Sequence, residues 1–291
     1  MALPKPAAGP DAKSVMTDVD YEKFCEFFYR KTGIQFKENK KYYVERRIAS
    51  RISAVRAESF RDYFTMVRFQ SSGEELQHLV NDMTVNETYF FREDYQFDAL
   101  VDGILPAVVS RKRPGDRVRI WSVPCSSGEE PYSIAITLLE RWAECDCWDI
   151  EILASDIDSR ILSEARAGLY SERSVARVST ALRGKYFRPR PDGQFQICDD
   201  LRESIDFSMA NVVDRTQTGR FRDVDVIFCR NLLIYFDDIV RRQTAEMFFD
   251  ALAPGGFICL GHSESMSRIS PLFLPRKLRG SIVYQKPLSA E

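Results

Sequence analysis

A chain of 291 residues with 44% hydrophobic content is long enough to bury a full core in one or two domains. A formal net charge of -2 speaks against a general nucleic-acid binder. No apolar run of about 18 residues marks a membrane span, and the opening MALPKPAAGPDAKS has no apolar core for a signal peptide, so a cytoplasmic protein without direct membrane insertion is expected.

Residues 1–16, rich in Ala, Pro and Gly, read as a disordered leader. Between 17 and 84 only helical spacing appears: Tyr21, Phe24, Phe27 and Phe28 on one face, then 42–53, 60–69 and 74–80. This predicts an all-α bundle. Residues 85–116 read as a linker carrying a connecting helix over 94–111. From 117 to 291 the pattern changes to strand-like runs at 117–123, 150–154, 204–209, 224–229, 256–260 and 281–285, mostly separated by helical patterns. That alternation predicts an α/β domain with a largely parallel sheet covered on both faces, and a site at the strand C-terminal ends. At 186–199, Pro191-Asp192-Gly193 precedes an alternating run and predicts a small antiparallel β insert. Seven cysteines, odd in number and scattered, are expected to be reduced thiols.

The chemistry concentrates in 119–136, RIWSVPCSSGEEPYSIAI, a strand breaking at Ser126, Ser127 and Gly128 into an amphipathic helix. Small side chains there let a ligand approach the backbone and the helix N-terminus. The next strand ends in Ser155-Asp156-Ile157-Asp158, and an acidic residue at that position hydrogen-bonds a ribose in Rossmann-like folds. The loop lacks GxGxxG, and Glu129 and Glu130 beside the helix N-terminus would repel a pyrophosphate. A ligand without phosphates suits it better. S-adenosylmethionine, whose sulfonium is favoured by carboxylates, meets that demand, and a nicotinamide dehydrogenase is the weakest reading.

Five motifs follow in order across residues 17–285: Asn86-Glu-Thr-Tyr-Phe-Phe-Arg92-Glu93, CSSGEEPYSIA, ASDID, the run IFCRNLLIYFD over 227–237, and Gly255-Gly256 with Gly261-His-Ser-Glu264. Together they resemble the CheR family of chemotaxis receptor methyltransferases. The resemblance implies a Rossmann-like S-adenosylmethionine-dependent domain preceded by the helical bundle. It also implies methyl transfer to glutamate side chains on the cytoplasmic domain of transmembrane chemoreceptors, giving glutamyl methyl esters and S-adenosylhomocysteine. It places Asn86, Thr88 and Arg92 at the methionine moiety or reaction centre. Asp156 falls to the ribose, and one of Glu129 or Glu130, which the sequence does not separate, to the amino group. Asn211 falls to the adenine with the Val212 backbone, Arg230 and Asn231 to the methionine side, and Tyr235 to a position beside the incoming nucleophile. His78 and His262 lack neighbours for a triad or a metal set, and no metal is expected.

Over 37–68, nine basic residues stand against four acidic ones, a local balance of +5. Lys40, Lys41, Arg47 and Arg51 are the residues expected to dock an acidic receptor helix. Tethering of a receptor C-terminal peptide at the β insert stays open. A nucleic-acid amino-methyltransferase would carry an Asn/Asp-Pro-Pro-aromatic loop, which Asn231-Leu-Leu-Ile-Tyr235 is not. A non-catalytic cofactor-binding adaptor is the remaining alternative.

Overall fold

The computed structural model describes residues 15–288, and most of the expected leader lies outside them. Met16, counted in that leader by its sequence context, is buried. The chain divides into two compact units: residues up to 31 with 35–83, and residues 32–34 with 84 onward.

The smaller unit is helical: α1 (Asp18–Thr32), α2 (Lys41–Val55), α3 (Phe60–Phe69) and α4 (Glu74–Met83). Thr17 and Asp20 cap α1 reciprocally, the Thr17 hydroxyl accepting from the Asp20 amide and the Asp20 carboxylate from the Thr17 amide. Ser59 caps α3 by accepting from the Asp62 amide. The apolar spacing read from the sequence closes a core of Phe24, Phe28, Val44, Ile48, Tyr63 and Leu79, all fully buried.

Among the described residues the larger unit holds ten strands: β1 (Arg117–Ser122), β2 (Asp149–Asp156), β3 (Leu169–Tyr170), β4 (Phe187–Pro189), β5 (Phe195–Ile197), β6 (Ile205–Met209), β7 (Val224–Cys229), β8 (Leu252–Leu260), β9 (Leu274–Leu278) and β10 (Ser281–Gln285). Seven form one sheet in the order β6-β2-β1-β7-β8-β10-β9. The first five run parallel, while β10 is antiparallel to both β8 and β9. Every residue of β7 is buried, Asp225 included. The Asp225 carboxylate is accommodated by Lys112 at 2.9 Å and by the Arg119 amide.

Three expectations need correction. Residues 85–116 are no spacer: Phe90, Phe97, Leu100, Ile104, Leu105 and Val108 are core residues of the larger unit, because their apolar spacing is used for packing. The connecting helix itself is present as expected, running from Tyr95 to Val109 with a π-helical turn at Leu100–Ile104. Strand β9 gave no signal, since LPRKL is an exposed edge with one partner strand and needs no apolar alternation. Strand β8 begins four residues before the expected 256, where Pro254-Gly255-Gly256 reads as a turn yet forms an irregularity in register with β7.

The β insert is a three-stranded antiparallel sheet in the order β3-β5-β4. Its hairpin turns through Gly193 at φ 79°, with the Asp192 side chain accepting from the Gln194 amide. Phe90 fixes the sheet to the unit by edge-on contacts with Tyr170 and Phe187, at centroid distances of 4.7 and 5.0 Å.

Candidate active site

The five parallel strands end on one edge of the sheet, and the strand order reverses between β1 and β7. The crevice outside the carboxyl ends at such a switch point is where ligands bind in open α/β sheets.

After β1 the chain turns through two left-handed residues, Ser126 at φ 49° and Gly128 at φ 94°. A Cβ at Gly128 would meet Tyr132, Ala165 and the Tyr170 hydroxyl at 3.0–3.1 Å, so both conformation and space require glycine. The Ser126 amide donates to Asp156 Oδ2 at 2.9 Å, and the Asp158 amide donates to Oδ1 at 3.0 Å. The Ile157 backbone also bears on this carboxylate, and with about four lone-pair sites Asp156 still has room for a further donor such as a ribose hydroxyl. Burial pushes the Asp156 carboxyl up to about 6, against the pull of these backbone donors. Asp158 is equally buried. Its Oδ1 caps helix Ser159–Ala167 through the Arg160 and Ile161 amides, and its Oδ2 accepts from Thr84 Oγ1 and Asn86 Nδ2, both at 2.8 Å. The Asn86 side chain is thus turned to Asp158, and half-buried Thr88 follows in the same segment.

Glu129 and Glu130 open helix Glu129–Arg141 and face different partners. Glu129 Oε2 accepts from Ser127 Oγ at 2.6 Å. Glu130 Oε1 accepts from Ser122 Oγ at 2.6 Å, and its Oε2 lies 3.1 Å from Arg230 Nη1. The second contact crosses the switch point from β1 to β7. Arg230, with a side chain only 3% exposed, also pairs with Glu93 at 3.5 Å and donates to the Arg92 carbonyl. One guanidinium so faces two carboxylates, a buried set with net charge of about -1 when both are ionised. Among the described residues, the Arg230 Nε atom has no hydrogen-bond partner. Burial raises the Glu130 carboxyl, offset in part by Arg230 and Ser122. At Glu93 burial acts in the same direction, but Arg230 and the His262 ring outweigh it and hold the carboxyl below the usual range. His262 Nδ1 lies 3.0 Å from Glu93 Oε1.

After β7 the chain passes Arg230 and turns at Asn231, left-handed at φ 61°, into a single 3-10 turn, Leu233–Tyr235. Tyr235 is half-buried. Burial raises its phenol, Arg92 opposes the rise, and Glu264 and Glu87 add to it. Arg92 ends the Asn86 segment, and its guanidinium is turned to that segment's own residues. The Arg92 guanidinium donates to the Glu87 carbonyl at 2.8 Å and lies 5.9 Å from the Tyr89 ring centroid. Asn211, after β6, orders its own turn: its amide donates to Gln217 and its Oδ1 accepts from the Val213 amide. Val212 is buried beside it.

Of the four docking candidates in the helical unit, Lys40 is exposed, and Lys41 reaches Asp18 at 2.5 Å. Arg47 stacks 3.3 Å from the Tyr43 ring centroid and donates to the Asp82 carbonyl. Arg51 makes a paired contact with Glu75, Nε to Oε1 at 2.9 Å and Nη2 to Oε2 at 2.7 Å. The last two are committed to the bundle interior rather than to a free basic face. Four residues that shape the site carried no separate role in the sequence reading: Ser122, Glu93, Asp158 and Glu264. An acidic residue just beyond a parallel strand end was the available signal for Asp158 and Glu264.

A parallel sheet with a small-residue loop after β1, a buried acid after β2 and carboxylates where a pyrophosphate would otherwise lie defines a Rossmann-like methyltransferase domain. Residues 86–279 match the family model described as CheR methyltransferase, SAM binding domain, and 19–84 match the CheR methyltransferase all-alpha domain. The chain is similar to chemotaxis protein methyltransferase 2 of Vibrio cholerae, 52% identical over 273 residues and covering 94% of each chain. It is 37% identical to a probable chemotaxis protein methyltransferase of Rhizobium etli, covering 82% of this chain and 90% of that one. Against the chemotaxis protein methyltransferase of Borreliella burgdorferi the identity is 33%, over 86% and 89%. The chain belongs to the CheR methyltransferase family and is an S-adenosylmethionine-dependent enzyme.

Proposed function

We propose that this enzyme methylates glutamate side chains on the cytoplasmic domains of transmembrane chemoreceptors. What supports the reading is the family match together with Arg92 at the end of the Asn86 segment and Tyr235 in the turn after β7. A guanidinium holds a carboxylate by paired hydrogen bonds, and a phenol orients it by one more. A glutamate is already ionised at neutral pH, with a reference value of about 4.3, so no general base is required.

The residues present fit the cofactor. Asp156 retains acceptor capacity toward ribose hydroxyls. The Glu93 and Glu130 carboxylates flanking Arg230 would favour an ammonium or sulfonium, and Glu129 and Glu130 both stay candidates for the amino group. Asn211 and Val212 would border the adenine, and Thr88, Arg92 and Asn231 the methionine end. Bound S-adenosylmethionine supplies an electrophilic methyl on positively charged sulfur. The carboxylate oxygen forms the new O–C bond as the C–S bond breaks, the electron pair returns to sulfur, and no proton moves. The chain's part is to exclude water and hold the acceptor in line.

Exposed Lys40 and half-buried Lys41, the latter paired with Asp18, remain the docking candidates on the helical unit. A receptor C-terminal peptide would add to the free edge of β4, where Arg188 and Arg190 are exposed. The test uses receptor cytoplasmic fragments incubated with methyl-labelled S-adenosylmethionine, with candidate glutamates intact or replaced by glutamine. Label on the first alone is expected. Equal label on both would exclude a carboxylate acceptor at those positions.

A further inference from the structure

Glu264 lies in the turn after β8, yet its carboxylate organises the loop after β7. Its Oε2 accepts from the Asn231 amide at 2.8 Å and from the Gly261 amide at 2.9 Å, while Oε1 accepts from the Leu233 amide at 2.7 Å. These amides belong to two neighbouring strand-end loops, so one side chain ties both together. Asn231 is held left-handed, a conformation that costs a non-glycine residue on the order of 1 kcal/mol and persists only when its surroundings over-determine it. The 3-10 turn that follows has no cap from its own residues: the side chain of Leu232 offers none. Glu264 fills that part from outside by accepting from the Leu233 amide, and the turn closes with the Tyr235 amide on the Leu232 carbonyl. Gly261 makes the approach possible. A Cβ there would come within 2.8 Å of Asn231 Nδ2 and 2.9 Å of Glu264 Oε2.

We infer that Glu264 is a positioning residue for methyl transfer: its carboxylate fixes the Asn231–Tyr235 turn and through it the phenol that meets the acceptor. A purely structural carboxylate would affect stability and all steps alike. This one sets the course of a single loop, Asn231–Tyr235, and it needs both oxygens as acceptors. Glu264→Gln keeps the shape but replaces one acceptor by an NH2 group that opposes a backbone N–H. The inference rests on the methyl-transfer reading for its consequence, not for its geometry.

Two readouts test it. In protein carrying 3-fluorotyrosine, Glu264→Gln should shift or broaden the fluorine resonance assigned through Tyr235→Phe and leave the other tyrosines in place. An unmoved, sharp resonance would overturn the proposal whatever the activity. In a double-mutant cycle on receptor methylation, Glu264→Gln should lower kcat at least tenfold, but cost less than threefold in the Tyr235→Phe background. Additive losses would overturn it. If the glutamine variant does not fold, Glu264→Asp, which keeps the charge but shortens the reach, is put through the same pair of measurements. Failure of the wild type to methylate receptors would count against the proposed substrate alone, with the resonance still deciding the role of Glu264.

Discussion

In the helical unit Arg51 meets Glu75 by a paired contact with Asp82 4.0 Å away, and the Tyr63 hydroxyl donates to the Glu75 carboxylate. In the larger unit Arg230 faces Glu93 and Glu130 together and is left with an unpartnered Nε. Both sets hold one guanidinium between two carboxylates, but the first is closed by the paired contact and the Tyr63 hydroxyl, while the second joins separate strand-end segments and leaves Arg230 Nε without a partner among the described residues. Desolvating an ion pair costs several kcal/mol per ion, so a fully satisfied set is the arrangement that structure alone would favour. A set left open at the strand ends has capacity for a ligand. The difference teaches that buried charge locates the site here by what it leaves unsatisfied rather than by its presence.

The sharpest break would come from Arg230→Met. Two carboxylates would be left uncompensated, and loss of one partner of a buried pair costs about 3–5 kcal/mol. Thermal unfolding should register that loss, and methyl transfer should fall at least a hundredfold. A folded, active variant would refute the account of the cleft. Glu75→Gln should cost the helical unit about 3 kcal/mol by the same reasoning, with cofactor affinity, measured by calorimetry, unchanged within twofold. Were Arg51→Met instead to keep full stability and weaken receptor methylation, Arg51 would be a docking residue after all.

Arg92→Ala should lower kcat at least tenfold, about 1.4 kcal/mol of transition-state stabilisation, while cofactor Kd changes little. Equal turnover would remove Arg92 from the catalytic set. The smallest effect is in pH. Because burial lifts the Asp156 carboxyl to about 6, cofactor affinity should be level from pH 8 to 7 and weaken as pH falls through 6, approaching tenfold per unit. The stability contribution has the opposite sense: a raised carboxyl favours the folded state in its protonated form, and that contribution is lost as pH rises through about 6. Calorimetric titration across this range, with Asp156→Asn as the pH-flat control, checks both signs.

The cleft was legible because its parts have local signals. A small-residue turn after an apolar strand marks the loop at Ser126–Gly128, and an acid at the next strand end marks Asp156. What joins them is not local. Arg230 and Glu130 are 100 residues apart in the chain, and Glu264 reaches the Asn231 amide across 33. The two glutamates opening helix Glu129–Arg141 were indistinguishable in sequence because adjacent helical residues point about 100° apart, one toward Ser127 and the other toward Ser122 and Arg230. The basic run over 37–68 does not tell where each side chain turns, since spacing records charge without recording the partners Tyr43, Asp82 and Glu75 that Arg47 and Arg51 take. Edge strand β9 went unseen for want of a buried face.

The central claim is that this crevice delivers a methyl group to a carboxylate oxygen. The most direct test is transfer of radiolabelled methyl from S-adenosylmethionine to receptor-containing membranes, followed by mild alkali. A glutamyl ester predicts receptor-bound label released as volatile methanol. Label that survives alkali would place the methyl on nitrogen or another stable position and contradict the account.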